Sequence, residues 1–173
     1  MPPVSREFRV DPMTIAEIFL REFDGEMATT RSLLERVPSD RLDWRPHPKS
    51  MTFKDLAGHV AELARWGVAI DEGSFEVGTR RFPDYQSVGQ LVARFDENVA
   101  TSRASIARKS DEDLRERFTL TRGGTADFQM SKASLLRRVF LNHLIHHRGQ
   151  LSVYLRLNDL PLPPIYGPSA DEG

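Results

Sequence analysis

The sequence predicts an all-α protein, a four-helix bundle with long crossover connections. Four separate segments carry apolar residues at spacings of three and four, which is the period of one helix face. Alternation typical of strands is nearly absent, and capping residues and prolines mark the ends of the periodic segments. Four amphipathic helices, each with one apolar face, bury those faces most simply around a common core.

The first two helices are bounded by clear start and stop signals. Asp11 followed by Pro12 reads as an N-cap with proline at the first helical position, and the apolar stripe of this helix ends at Pro38. The second helix is predicted to open at Thr52, with Asp55 three residues later as its capping partner.

The third and fourth helices follow the same logic. Ser87 is the predicted N-cap of the third helix, and the fourth is predicted to run from about Ser131 to Leu157. Three prolines prevent the fourth helix from continuing, namely Pro161, Pro163 and Pro164.

The connections between these helices are long for a simple up-and-down bundle. Residues 71–86 and 110–130 read as irregular connections, the latter with a turn around Gly123. Leu42 and Trp44 give the first connection enough apolar character to pack across the bundle. Loops of a dozen residues or more indicate at least one crossover.

Composition narrows the class of protein further. The 173 residues form one predicted domain, 1–173, with an N-terminal extension at 1–10 and a C-terminal tail at 160–173. The 24 Lys and Arg against 25 Asp and Glu give a net charge of −1, which argues against nucleic acid as a partner. The polar, proline-broken start excludes a signal peptide, and no apolar run could span a membrane, so we expect a cytoplasmic protein.

The absence of cysteine excludes several kinds of chemistry. Without Cys the chain cannot form disulfides, thiolate zinc sites, iron–sulfur clusters or a cysteine nucleophile. Any metal site must therefore use imidazole or carboxylate ligands, and any reacting sulfur must come from a small molecule.

The histidines are concentrated on the predicted inner faces of two helices. On the fourth helix, His143 and His147 are at i and i+4 and lie at the centre of the apolar stripe, whereas His146 lies about 80° away at its edge. His59 lies close to the inner face of the second helix, and His47 is in a loop between two prolines.

Three buried imidazoles without partners would be costly, at roughly 1–3 kcal/mol for each unpaired polar group. A divalent ion held by His59, His143 and His147 removes this cost and leaves coordination positions open, which is typical of catalytic sites. Imidazole suits Zn, Ni, Cu and Fe alike, so the ligand type alone leaves the ion open, with Fe and Mn among the candidates. Core histidines bonded to backbone carbonyls are the simpler alternative for each residue alone.

Four stretches of the sequence resemble the DinB family of bacterial proteins, within the DinB/YfiT-like metalloenzyme superfamily. They are Leu141–Arg156, with its His-Leu-Ile-His-His-Arg-Gly-Gln core, Val37–Pro46, Asp55–His59 and Pro161–Ala170. The resemblance implies a four-helix bundle with a crossover, a homodimer, and a divalent ion, nickel or zinc, held by His59, His143 and His147. It also implies a metal-dependent transferase of low-molecular-weight thiols such as bacillithiol or mycothiol, or a thiol-dependent isomerase.

The leading hypothesis is therefore a thiol S-transferase that joins a low-molecular-weight thiol cosubstrate to a small electrophile. Gln150, one turn from His147, is expected to orient a ring or to be an ordinary core amide. His146 is expected in the surroundings of the ion or at the surface. Arg148 is a candidate to bind a substrate carboxylate, with a solvent-facing or helix-facing position as the alternative.

Two other functions are compatible with the same residues. A metal-dependent hydrolase would use an ion-bound water and would need a base, for which Glu62 and Asp55 are candidates, although both fit a solvated or capping position as well. A non-catalytic metal-binding protein of a stress response is the third hypothesis.

Overall fold

The computed structural model describes residues 12–78 and 83–172. The helices are α1 (Ile15–Leu34), α2 (Phe53–Leu63), α3 (Trp66–Ala69), α4 (Val88–Ala107), α5 (Asp111–Arg115), α6 (Lys132–Ser134), a π-helical segment (Leu135–Leu141) and α7 (Asn142–Leu157). The strands are β1 (Ser74–Glu76), β2 (Arg117–Arg122) and β3 (Thr125–Ser131). No helix in these two ranges is long and apolar enough to cross a membrane.

The predicted four-helix bundle with crossovers is confirmed. Helix α1 packs against α4 and α7, and α2 packs against the same two helices. Around the bundle, α1 therefore lies diagonally opposite α2, and α4 lies opposite α7. The α1–α2 and α4–α7 connections must each cross an end of the bundle, which explains their length.

The helix starts agree with the sequence except at the first helix. Helix α1 begins at Ile15, and its N-cap is Thr14, whose side chain accepts a hydrogen bond from the N–H of Glu17 while the Glu17 side chain bonds the N–H of Thr14. The prediction that Pro12 opens this helix was wrong, because this reciprocal cap fixes a later start, and Asp11 lies outside the described residues. The other predicted starts are confirmed as N-caps, namely Thr52, Ser87 and Ser131.

The expectation that residues 71–86 and 110–130 are irregular was wrong, because they contribute the strands of a three-stranded sheet. Strand β1 pairs with β2 in parallel, and β2 pairs with β3 as an antiparallel hairpin. Gly123 and Gly124 form its turn with φ of 58° and 76°, the left-handed conformation that a tight two-residue hairpin requires. Phe118 of β2 is fully buried. The hairpin is thus anchored to the core and supports β1, which contributes to the site described below.

The connection before α2 packs on the core as predicted. The Trp44 ring lies with its centroid 5.3 Å from that of Phe53 and 5.6 Å from that of Tyr154. The Tyr154 hydroxyl donates a 3.2 Å hydrogen bond to the carbonyl of Met51. These contacts join the start of α2 to the end of α7, the two helices that carry the histidines.

Close packing at one glycine of α3 gives a test of this fold. A Cβ on Gly67 would lie 2.5 Å from Cβ of Ser102 and 2.9 Å from Cδ1 of Ile106, both on α4, whereas one on Gly25 of α1 meets nothing within 4 Å. We expect Gly67→Ala to lower the free energy of unfolding by about 1–3 kcal/mol, through overpacking. Gly25→Ala should raise it by up to about 1 kcal/mol, through helix propensity. Urea unfolding measures both, and equal effects would contradict this packing.

Candidate metal centre

Three histidine rings meet between α2 and α7. His59 comes from α2, while His143 and His147 lie one turn apart on α7. The Nε2 atom of His143 is 3.3 Å from Nε2 of His59 and 2.8 Å from Nε2 of His147. The potential ligand atoms of all three rings lie within 4.8 Å of one another. The structure therefore brings together the three histidines that the sequence singled out.

The outer hydrogen bonds of two rings fix which nitrogen carries the proton. Nδ1 of His147 is 2.7 Å from Oε1 of Gln150, and since an amide oxygen only accepts, Nδ1 is the donor. The backbone of Val139 accepts a hydrogen bond from the His143 ring. Because Nε2 of His143 faces the other rings, we assign this donor to its Nδ1. Both rings then direct an Nε2 lone pair toward the same point.

The pKa values of the three rings are all lowered, mainly by burial. Burial and the neighbouring His147 and His143 lower the pKa of His59 to about 4. Burial lowers the pKa of His143 and of His147 below the ordinary value, although their hydrogen bonds to Val139 and Gln150 act in the opposite direction. All three rings are therefore neutral at pH 7, the state in which imidazole binds a metal.

The three rings fit a divalent cation. Two Nε2 lone pairs 2.8 Å apart, with no proton between them, repel each other unless a positive charge lies close to both. Nitrogen ligands 2.0–2.1 Å from a tetrahedral zinc ion are separated by about 3.3 Å, close to the distances between these nitrogens. Hydrogen bonds from the outer ring nitrogens to amide and backbone oxygens are also the usual support of histidine ligands.

A cavity of about 600 Å³ leads to this group of rings. His59 and His143 form part of its wall, together with the charged residues Glu62, Arg65 and Arg94. The other described residues of the wall are largely apolar, namely Leu63, Trp66, Phe75, Val77, Gly78 and Pro83. A small molecule that entered this cavity would meet the imidazole nitrogens at one side and an aromatic surface at the other.

Glu62 lies in this cavity, but its carboxylate is occupied. Its Oε1 accepts hydrogen bonds from the Tyr85 hydroxyl at 2.8 Å and from Nε of Arg94 at 2.9 Å. Burial acts to raise the pKa of Glu62, but these two donors outweigh it and hold the pKa below the usual range. The other sequence candidate for a base, Asp55, is exposed and bonds the hydroxyl of Thr52 at the start of α2.

Of the residues expected around the ion, Gln150 contacts a ring directly and His146 only borders the group. The His146 ring centroid is 4.9 Å from that of His147, and His146 is outside the set of converging nitrogens.

Arg148 lies away from the histidine group, in the helix-facing position that the sequence offered as the alternative. Its fully buried guanidinium pairs with Glu26 of α1 at 2.6 Å and donates to the Tyr166 hydroxyl at 2.7 Å. About 100° separates it from His147 on the helix, so it faces α1 instead of the histidines.

Sequence reasoning missed part of the cavity wall. Trp66 follows His59 by seven residues and Glu62 by four, a spacing that places all three on one helical face and could have indicated a shared wall. Phe75 reaches the wall only because β1 pairs with β2, and its ring centroid lies 4.4 Å from that of Trp66. No local pattern predicts that contact.

Known proteins share this fold across nearly the whole chain. The chain is 25% identical over 155 residues to the protein YrdA of Bacillus subtilis (strain 168), covering 89% of each. A crystal structure of the DinB-like protein yjoa of Bacillus subtilis superposes with a TM-score of 0.69 at 20% identity, covering 87% of this chain and 97% of that one. A DinB-like protein of Bacillus cereus ATCC 10987 gives a TM-score of 0.69 at 22% identity, with 86% and 95% covered.

The similarity to the two crystal structures shows a common fold. The model of the DinB family, in addition, matches residues 13–173, which include the three converging histidines and the C-terminal tail. The chain belongs to the DinB family.

Proposed function

We propose that this protein is a divalent-metal-dependent enzyme that joins a low-molecular-weight thiol to a small electrophile. One observation carries the proposal: neutral imidazoles from two helices direct their Nε2 atoms to one point at the wall of a cavity. Zn and Ni are the expected ions, and the homodimer implied by the family resemblance is part of the same proposal.

The chemistry of the chain's own residues supports thiol transfer. A divalent ion held by three neutral imidazoles would act as a Lewis acid and lower the pKa of a bound thiol. The chain contains no Cys, so the sulfur must belong to a small-molecule cosubstrate. His59 and His143 border the cavity, so a thiol can approach their nitrogens from it. The largely apolar walls would limit competition by water for the electrophile.

Hydrolysis by an activated water is the less favoured alternative. A hydrolase of this type needs a nearby base to accept a proton. Glu62, the carboxylate that lines the cavity, already accepts two hydrogen bonds and has a lowered pKa, so it is a poor proton acceptor near neutral pH. Metal binding without catalysis is the other alternative, and the activity assay below separates it from both enzymes.

Graded substitutions test the ion site. We expect His147→Ala to weaken Zn²⁺ or Ni²⁺ affinity by more than about 100-fold, because it removes a ligand. Gln150→Leu should weaken it by about 10–100-fold, the usual effect of losing the partner of a ligand ring. His146→Ala and the loop variant His47→Ala are the matched controls and should change affinity less than about threefold. Elemental analysis of untagged protein and chelator competition measure the series.

The relative metal affinities of these variants decide which histidines bind the ion. Stoichiometric metal in His147→Ala, with helix content unchanged by circular dichroism, would contradict the assignment of this ligand. An equal loss in His146→Ala would show that a different pair of α7 histidines binds the ion.

The lowered pKa values give a distinctive pH dependence of metal affinity. Protons compete with the ion only where the metal-free rings titrate, and the pKa values of these rings lie below the ordinary imidazole value of about 6.5, that of His59 at about 4. We expect affinity to be nearly constant from pH 8 to about 6.5 and to fall as the pH decreases toward 4. Competition with a chelating dye, corrected for the dye's own titration, measures this. Constant affinity down to pH 4 would argue against histidine ligands.

Activity is tested with a thiol panel and an aryl halide. The thiol sulfur displaces chloride from 1-chloro-2,4-dinitrobenzene. A C–S bond forms, the C–Cl bond breaks, and chloride and the thiol proton are released. We expect thiol-dependent turnover by the metal-loaded protein with at least one of cysteine, coenzyme A, bacillithiol and mycothiol. Chelator-treated protein and His143→Ala should be inactive.

Turnover of an ester that persists after thiol is withdrawn would favour the hydrolase. A metal-loaded protein that is inactive with every thiol and with a panel of further electrophiles would favour the non-catalytic alternative.

A further inference from the structure

The cavity beside the histidines has one strongly aromatic side. The ring centroids of Trp66 and Phe75 are 4.4 Å apart with their planes inclined by 52°. Leu63, Val77 and Pro83 extend this surface. Such a wall favours a flat apolar group, because aromatic rings stack in tilted or offset arrangements.

The charges that line the same cavity do not cancel. Two arginines, Arg65 and Arg94, face one carboxylate, Glu62. Arg94 is already paired with Glu62 at 2.9 Å and with Glu97 at 2.7 Å. Within residues 12–78 and 83–172, no carboxylate lies within ion-pair distance of Arg65. The charged side chains among the described residues of the lining are these three, and they sum to a net charge of +1.

The separation between Arg65 and the histidine rings matches the length of a small aromatic molecule. Arg65 lies between α2 and α3, six residues after His59, and because the backbone of Ala64 and Arg65 keeps right-handed helical angles, the separation along the axis is about 9 Å. The Arg65 side chain lines the same cavity as Glu62, and its positive charge contributes to the lowered pKa of that carboxyl. Trp66 is its chain neighbour. A benzene ring with a substituent at each end spans a comparable length.

We propose that the cavity binds a small aromatic carboxylate whose ring packs on Trp66 and Phe75 and whose carboxylate pairs with Arg65. The other end of the ligand then faces His59 and His143. This inference rests on the proposed function in one respect, because it names the substrate class for the same cavity. The guanidinium suits a carboxylate because it can donate two parallel hydrogen bonds.

Benzoate and benzamide form a matched pair of probes, since they have nearly the same shape and differ in charge. Calorimetric titration of the metal-free full chain should show benzoate binding at least about tenfold more tightly, as for a hydrogen bond to a charged group. Acetate, which lacks the ring, should not bind measurably. In zinc-loaded protein, 4-mercaptobenzoate should bind more tightly than benzoate, because its sulfur reaches the histidine side.

Substitutions test which residues cause the preference for benzoate over benzamide. Arg65→Gln should reduce the benzoate-to-benzamide ratio to within about twofold, and Arg65→Lys should restore part of it. Trp66→Leu should weaken both probes. Arg45→Gln, which removes an exposed arginine from a loop, is the control and should leave both affinities unchanged.

The outcomes separate this inference from the proposed function. Equal affinity for the two probes, no binding of either up to the solubility limit, or a preference that survives Arg65→Gln would overturn the inference, even if the protein binds metal and transfers thiols. A benzoate preference that depends on Arg65 in a protein without thiol transfer would retain the inference and refute the proposed activity.

Discussion

The arrangement of α7 depends on two buried polar groups that point in different directions. His147 faces α2, where its ring centroid lies 4.4 Å from that of His59, and the next residue, Arg148, faces α1, where it pairs with Glu26 at 2.6 Å. A buried ion pair is costly to break, because a lone charge would then remain in the core. Since α1 and α2 are diagonal in the bundle, α7 is held on both of its inner sides, and its rotation about its own axis is fixed. That rotation determines whether the histidine nitrogens converge.

The π-helical segment before α7 supports the same geometry. In this segment the backbone N–H of Asn142 bonds the carbonyl of Arg137, five residues back, instead of the usual four. The segment ends beside His143, whose ring donates to the backbone of Val139. That hydrogen bond removes one rotational freedom of the ring and leaves its Nε2 as the acceptor nitrogen. Short π segments are common at functional sites, where they reorient a single turn of helix.

The helical part of the molecule was predictable from the sequence, and the wall of the cavity was not. A helix face depends on residues three and four apart, so the positions of His143 and His147 follow from local spacing. The hairpin had a local signal in the Gly123–Gly124 pair between segments rich in Thr and Phe, which predicted the turn but not the two strands that flank it. Strand β1 is three residues long and pairs with a segment more than 40 residues away. Nothing in the neighbourhood of Phe75 could indicate that partner.

The segment formed by α2 and α3 combines three tasks. His59 contributes a nitrogen to the converging group, Glu62 binds Arg94 and so holds α4 beside the cavity, and Trp66 supplies an aromatic wall. These residues are spaced by three and four, so they form one continuous stripe. Among the described residues of the cavity wall, Glu62 neutralises Arg94, and the charge that remains available to a ligand belongs to Arg65, the chain neighbour of Trp66. Position along this helical axis therefore sets both the orientation of a ligand and the end that faces the histidines.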